Sequence, residues 1–378
     1  MKPQIERHQH LRTTPFHLLI KPIGPVCNLD CRYCFYLDKD RLYPETTSFK
    51  MLPEVLEEMI RQYIAAQPAT LPEISFAWQG GEPTLMGVDF FRQAVTLQNQ
   101  FRPQGQQIAN TIQTNGVLLD DEWGEFLHEH KFLVGLSLDG PRELHDAYRV
   151  DKKGAGTFER VMQGLEILKR HQVEFNILTT VHHANADHPV EVYDFLTENG
   201  AAFLQFISIV EEDGNGALTD RSVRPEQYGR FLVGILERWL VKSDVGEVFV
   251  QDFDMLLSQV AGQGSPICIH AETCGRAVAM EHNGDLYSCD HYVRADHRLG
   301  NVMDTGMAAM LDSPMQLKFG NDKRDALPPC CTECEFLAYC RGGCPKDRLS
   351  RTPDGEPGLN VLCQGYKHFY ERALPVME

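Results

Sequence analysis

The sequence predicts an α/β fold: an open, partial barrel of about six strand–helix units, followed by a cysteine-rich C-terminal extension. Three observations predict it. Short apolar runs alternate with amphipathic segments through the first half. Turns rich in Gly, Pro and polar residues follow the apolar runs. Three cysteines lie at 27–34 and nine lie beyond residue 267, with none between Cys34 and Cys268.

The expected strands are Phe16–Lys21, Ile74–Gln79, Ala109–Thr114, Phe132–Leu138, Val173–Val181 and Phe203–Ile209. Helical patterns fall near 52–66, 88–101, 121–129, 157–171 and 188–198. Leu52, Val55, Leu56 and Met59 have the spacing of one buried helix face, and Pro53 sits where a first-turn proline is tolerated. Strand–helix–strand repetition implies a parallel sheet with right-handed crossovers. Six such units leave it an open (β/α)6 barrel rather than the closed eight-unit one. In such sheets the site lies at the carboxyl ends of the strands. There the sequence places the first cysteines after Lys21, Gly80-Gly81-Glu82-Pro83 after Gln79, Asn115-Gly116 after Thr114 and Asp139-Gly140-Pro141 after Leu138. Turns need Gly and Pro in any case; their shared location on one face favours a site.

Residues 211–222 read as a polar loop and 225–242 as a helix. From Val245 the pattern becomes irregular, so the expected division is 1–244 for the barrel and 245–378 for the extension. Within the extension, strands at Ala277–Met280 and Leu286–Cys289 flank Asn283-Gly284, a strong hairpin signal.

Composition narrows the function. The 378 residues are 43% hydrophobic and 24% charged, as in an ordinary globular protein. No apolar run approaches the ~18 residues of a membrane helix, and the N-terminus lacks the apolar core of an export signal. A cytoplasmic protein without membrane partners is expected. The formal net charge of −17 argues against nucleic acid, whose binding leans on Lys/Arg contacts to phosphate. Twelve cysteines in a large chain of this kind point to metal ligands rather than to the disulfide framework of a small secreted domain.

Cys27, Cys31 and Cys34 form C-x3-C-x2-C. Thiolates suit iron–sulfur clusters or zinc, but a structural zinc site wants four closed ligands. Three thiolates on a four-iron cluster leave one iron open, which favours reactivity over mere structure. Downstream, Cys274, Gly284, Cys289, then Cys331-x2-Cys334-x5-Cys340-x3-Cys344 and Cys363 make a seven-cysteine pattern, with Cys268 as an eighth ligand. Eight thiolates can fully ligate two 4Fe–4S clusters; two four-cysteine zinc sites are the alternative. Spacing assigns Cys331 and leaves Cys330 as a plain thiol.

The N-terminal triplet, with Tyr33 before its last cysteine and Gly80-Gly81-Glu82-Pro83 downstream, resembles the radical S-adenosylmethionine superfamily. The seven-cysteine pattern resembles the SPASM extension of its peptide-modifying members. Further stretches resemble the anaerobic sulfatase-maturating enzymes over nearly the whole chain: Cys34-Phe-Tyr36, Phe76-Ala-Trp-Gln-Gly-Gly-Glu-Pro83, Gln113-Thr-Asn-Gly116, Phe132-Leu-Val-Gly-Leu-Ser-Leu-Asp-Gly-Pro141, Val173-Glu-Phe-Asn-Ile177, Leu204-Gln-Phe206 and Ser288-Cys-Asp290.

This resemblance implies three 4Fe–4S clusters and S-adenosylmethionine. Cys27, Cys31 and Cys34 would hold the first cluster, whose open iron chelates S-adenosylmethionine. Cys268, Cys274, Cys289 and Cys344 would hold the second, and Cys331, Cys334, Cys340 and Cys363 the third. It implies S-adenosylmethionine contacts at Tyr33, Gly81, Ser137, Arg149 and Leu204; Arg149 also suits a carboxylate on its own chemistry. The implied reaction converts a Cys or Ser of a sulfatase to Cα-formylglycine. A 5′-deoxyadenosyl radical takes a Cβ hydrogen, Asp290 takes the thiol or hydroxyl proton, and an iron–sulfur cluster takes the remaining electron. The implied partners are an unfolded or nascent sulfatase segment of the Cys/Ser-x-Pro-x-Arg type and a low-potential donor such as flavodoxin or ferredoxin. A monomer is expected. His128, His130, His182 and His183 read as surface or loop histidines. Two alternatives stay open: another SPASM enzyme that makes thioether or carbon–carbon crosslinks, and a non-catalytic iron–sulfur electron carrier.

Overall fold

A computed structural model describes residues 14–377; the N-terminal segment, read above as lacking an export signal, lies outside them. Six strands come where they are expected: β1 (His17–Lys21), β2 (Glu73–Trp78), β3 (Gln107–Thr114), β4 (Leu133–Ser137), β5 (Phe175–Val181) and β6 (Phe203–Ser208). Between them run α1 (Pro53–Ala66), α2 (Val88–Phe101), α3 (Asp121–Glu129), the short α4 (Arg142–Asp146), α5 (Phe158–Arg170) and α6 (Pro189–Glu198).

Local chemistry starts these helices. Pro53 opens α1 after an extended Leu52, because its fixed φ suits a first turn and its missing N–H is not needed there. Asp120 caps α3 by accepting from the Trp123 N–H, satisfying one otherwise orphaned donor. Val55, Leu56, Met59 and Ile60 of α1 are buried against Leu18, Ile20, Phe76 and the rest of the main core. Each such large side chain contributes roughly 1.5–3 kcal/mol through removal from water.

The strands β1 to β6 pair in parallel and in sequence order. After α7 (Pro225–Val241), a two-residue β7 (Phe249–Val250) pairs in parallel with β6, and α8 (Gln251–Val260) follows. The expected division at 244/245 therefore runs between α7 and β7, and the strand–helix alternation carries on to Val260. A two-residue strand is too short to show a period-two pattern, so nothing in the sequence signals it.

The extension joins the same sheet from the other edge. The hairpin β8 (Ala277–Glu281) and β9 (Asp285–Tyr287) forms as expected, with Gly284 at φ +89° in its turn. A third strand, β10 (Arg298–Asn301), adds to β9. Strand β8 lies parallel to β1, in register from His17↔Ala277 to Lys21↔Glu281. The extension then runs through α9 (Met307–Leu311), α10 (Pro314–Asp325), α11 (Pro329–Thr332) and α12 (Leu337–Cys340) to α13 (Cys363–Met377). Helix α13 packs closely on α7: a Cβ built on Gly229 would stand 2.9 Å from the Gly365 Cα. Cys363 is thus fixed against the barrel at the head of α13.

Candidate active site and cluster sites

The loop after β1 carries Cys27, Cys31 and Cys34, all free thiols and all half-buried. Backbone bonds flank Cys31 and tie the loop to the segment after α4: Asp30 N–H to the Val150 carbonyl and Arg32 N–H to the Tyr148 carbonyl, each 2.9 Å. Burial pushes the Cys27 thiol up to about 12, with Glu82 adding to it. It pushes Cys31 up to about 11 and raises Cys34 as well. Thiols this reluctant to ionise become ligands only beside a cationic metal core.

The Gly80–Pro83 turn lies directly on this loop. Gly81 N–H donates to the Gly24 carbonyl (2.8 Å) and Glu82 N–H to the Val26 carbonyl (2.9 Å). A Cβ on Gly81 would fall 2.0 Å from the Val26 oxygen, so only glycine fits. With its N–H committed, Gly81 has its carbonyl oxygen to offer an ammonium group. Glu82 is buried and ties β2 to β3. Its carboxylate accepts from Thr114 Oγ1 (2.7 Å), Asn115 N–H (2.8 Å) and Thr84 Oγ1 (2.7 Å). Asn115 in turn donates to Asn28 (2.8 Å) and reaches the Cys27 sulfur at 3.7 Å.

Of the other expected S-adenosylmethionine positions, Ser137 ends β4, and register sets Leu204 of β6 level with Leu136 across β5. Tyr33 and Arg149 converge on Asp139, which the sequence places only in a turn after β4. Arg149 grips its carboxylate through Nε (2.9 Å) and Nη2 (3.1 Å). Thr180 N–H donates at 2.9 Å and the Tyr33 hydroxyl donates as well. Burial opposes ionisation of Asp139, but Arg149 and His182 outweigh it and hold the carboxyl well below the usual range. The guanidinium that chemistry suggested for a ligand carboxylate thus has an internal carboxylate partner.

His182, read as a surface or loop residue, does lie in the loop after β5, but it is not on the surface. Its side chain is fully buried, 3.7 Å from Asp139 and packed edge-on against Tyr148. A tight turn, with Asn185 accepting from the His182 N–H, folds it inward.

Asp290 follows Cys289 in a short turn after β9 and keeps 18% of its side chain exposed, facing Lys21 Nζ at 2.5 Å. Lys21 itself is buried, lies 4.0 Å from the Tyr36 ring centre, and is the cross-strand partner of Glu281. Tyr36 donates to Glu281. Burial pushes the Asp290 carboxyl up, but Lys21 and His291 prevail and hold it below its ordinary value. The sequence offered one signal for this array: Lys21 is a charge directly after the apolar run Leu18-Leu19-Ile20.

The C-terminal cysteines separate into two neighbourhoods. Cys289 feels Cys344 and Cys268, and Cys274 feels Cys268. Cys340 feels Cys363 and Cys334, and Cys331 feels Cys330 first, then Cys363 and Cys340. Cys331, Cys334, Cys340 and Cys363 line one cavity of about 130 Å³, with Cys330 also on its wall. Burial raises Cys274 to about 11 and Cys344 to about 12, the same donor chemistry as in the N-terminal loop. Among the described residues no three His, Cys, Asp or Glu side chains gather tightly enough for a single metal ion, so the fit rests on this donor chemistry and on the two groupings. No described helix is long and apolar enough to cross a membrane.

A three-thiol loop at the mouth of a parallel sheet, backed by two groups of four, defines a radical S-adenosylmethionine enzyme with auxiliary iron–sulfur clusters. Family models agree: the radical SAM superfamily matches residues 22–196, and an iron–sulfur cluster-binding domain, SPASM, matches residues 268–335. The serine-type anaerobic sulfatase-maturating enzyme of Bacteroides thetaiotaomicron is 45% identical, over 96% of this chain and 91% of its own. The cysteine-type enzyme of Clostridium perfringens is 37% identical, over 96% and 97%. A solved structure described as native anSMEcpe with bound AdoMet and Cp18Cys peptide superposes with a TM-score of 0.86 at 37% identity, over 96% and 98%. The chain belongs to the anaerobic sulfatase-maturating enzymes.

Proposed function

We propose that this enzyme oxidises a serine or cysteine in a Cys/Ser-x-Pro-x-Arg segment of an unfolded or nascent sulfatase to Cα-formylglycine. One observation carries the reading: the likeness to maturases, including one with bound AdoMet and peptide, spans 96% of the chain. Greater identity to the serine-type relative than to the cysteine-type one favours serine as the preferred target.

Cys27, Cys31 and Cys34 hold the cluster that binds S-adenosylmethionine. Cys268, Cys274, Cys289 and Cys344 hold one auxiliary cluster, and Cys331, Cys334, Cys340 and Cys363 the other. When bound, these cofactors supply a 5′-deoxyadenosyl radical for the Cβ hydrogen and an acceptor for the remaining electron. The Gly81 carbonyl meets the methionine ammonium. Tyr33, Ser137, Arg149 and Leu204 line the rest of the nucleoside site, with Asp139 orienting Tyr33 and Arg149. Asp290 accepts the substrate hydroxyl or thiol proton, and Lys21 keeps its carboxylate ionised for that task. A flavodoxin or ferredoxin supplies low-potential electrons, and the enzyme works as a monomer in an anoxic cytoplasm.

The test uses the full chain, purified and loaded with iron and sulfide without oxygen, with Ser and Cys versions of the peptide. Mass spectrometry reads formylglycine and chromatography reads 5′-deoxyadenosine. The expected result is formylglycine in at least one peptide. In Asp290→Asn, formylglycine falls at least about a hundredfold, the scale of a general base, while nucleoside still forms. Nucleoside without any change to either peptide overturns the substrate assignment; undiminished formylglycine from Asp290→Asn overturns the base.

A further inference from the structure

Two cations in the extension lie among sulfur rather than carboxylate. Lys323 of α10 is 1% exposed. Its ammonium donates to the Ala271 carbonyl, between Cys268 and Cys274, and reaches the Arg341 carbonyl at 3.5 Å. Arg348 donates through Nε to the Gly342 carbonyl (3.2 Å) and through Nη2 to the Arg341 carbonyl (3.4 Å). Both therefore converge on the 341–342 loop, which joins Cys340 of one thiol group to Cys344 of the other.

The groups around them sharpen this. Around Lys323 they are Arg348, Cys274, Cys268 and Cys344, three of them in the first group. Around Arg348 they are Cys331, Cys344, Cys274 and Cys340, drawn equally from both groups. Nearby cations are paired conventionally: Lys318 with Asp322 and Lys346 with Asp347, each at 2.6 Å. A buried charge without a counter-charge costs several kcal/mol. Lys323 is such a charge, and the half-buried Arg348, reaching the same Arg341 carbonyl, adds to its charge rather than offsetting it; together they call for a shared anion. A 4Fe–4S cluster held by four thiolates is anionic, and reduction makes it more so.

We propose that Lys323 and Arg348 form a cationic bridge between the two auxiliary clusters that raises their reduction potentials and so lets them take the substrate's electron. The inference rests on the ligand assignment given above. The electron balance is that of the proposed oxidation: a hydrogen atom leaves the substrate Cβ, a proton leaves its oxygen or sulfur for Asp290, and one electron passes to an auxiliary cluster. A fixed cation stabilises the cluster after it gains that electron, because net charge and surroundings set such potentials. Lys323 acts mainly on the cluster of Cys268, Cys274, Cys289 and Cys344, and Arg348 acts on both.

The experiment is an anaerobic potentiometric titration of the full, cluster-loaded chain, followed by electron paramagnetic resonance, with iron and sulfide counted in every sample. Cys274→Ala and Cys363→Ala identify which signal belongs to which cluster. Arg348→Met is expected to disfavour reduction of both clusters at least tenfold, about 59 mV more negative for one electron. Lys323→Met is expected to do so for the first cluster alone. Arg348→Lys should recover most of the shift, and Lys318→Met, on the exposed face of α10, should leave both midpoints in place. Formylglycine per 5′-deoxyadenosine should fall in step with the midpoints.

If Arg348→Met does not take up its iron, Arg348→Gln and Lys323→Met carry the same test. Fully loaded variants with unshifted midpoints overturn the bridge while the ligand assignment stands. Wild-type iron and spectra in both Cys274→Ala and Cys363→Ala overturn the ligand assignment, and the bridge with it.

Discussion

Replacing Asp139 with Asn keeps the side chain's shape and removes its charge, which isolates what that charge does. The carboxylate accepts from Arg149 twice, from the Thr180 N–H and from Tyr33, and it is fully buried. An amide keeps one acceptor oxygen and turns a donor toward the others, while Arg149 stays buried without its counter-charge. Breaking one side of a buried pair costs about 3–5 kcal/mol, a large part of a typical stability of roughly 5–15 kcal/mol. Chemical unfolding of the iron-free chain at pH 7.5 reads that loss directly. The pH dependence gives a second check. Because the folded carboxyl is held below its usual range, its stabilisation is complete above about pH 4, the unfolded value, and erodes as pH falls further. The gap between wild type and Asp139→Asn should therefore narrow below about pH 4. Tyr33 and Arg149 lose their common anchor, so S-adenosylmethionine affinity, read by equilibrium binding to the loaded enzyme, should fall at least about tenfold, or 1.4 kcal/mol. A variant within about 1 kcal/mol of wild type, binding S-adenosylmethionine normally, would refute the reasoning.

Gly81→Ala must push a methyl into the Val26 carbonyl; iron in the N-terminal site and S-adenosylmethionine binding should both fall, as iron assay and calorimetry will show. Lys21→Met leaves Asp290 without its cation. Formylglycine should fall at least about tenfold while deuterium from a Cβ-deuterated peptide still reaches 5′-deoxyadenosine, because hydrogen abstraction does not depend on the base; equal loss of both would show that Lys21 only holds the fold. His145 is buried with its folded value pushed down to about 4 by desolvation. Its contribution is whole above about pH 6.5 and declines toward pH 4, by about 1.4 kcal/mol per unit. His145→Gln should flatten the unfolding free energy between pH 6.5 and 5 relative to wild type.

The strands and helices of the barrel were legible because each is long enough to show its period: Leu18 and Ile20 alternate inward on β1, and Val55, Leu56 and Met59 share one face of α1. The Cys27, Cys31, Cys34 triplet was legible because its spacing is local; the division of the C-terminal cysteines came only with the family resemblance, because Cys344 lies within the run of the other group. The buried charges were not legible, because a buried charge is understood only through its partner, and Lys21 and Asp290 stand far apart in the sequence. Nothing local to β8 says that it will lie parallel to β1. The burial of His182 in its loop was missed for the same reason: Tyr33, Tyr148 and Asp139 come to it from elsewhere.

That pairing bears on how the extension should be regarded. Strand β1 carries Lys21, and the turn after β9 carries Asp290; the two meet only because β8 docks on β1 in the register that sets Lys21 opposite Glu281. A one-residue slip in that register would turn Lys21 from its partners. The barrel alone therefore holds the three-thiol loop but not Asp290, and the extension alone holds Asp290 without its cation. The candidate base is held against its cation only in the ten-stranded sheet. If Asp290 is the base, radical generation and proton removal draw on different parts of the chain, held together by the β1–β8 pairing and by α13 on α7, and disturbing β8 should uncouple them even with every cysteine in place.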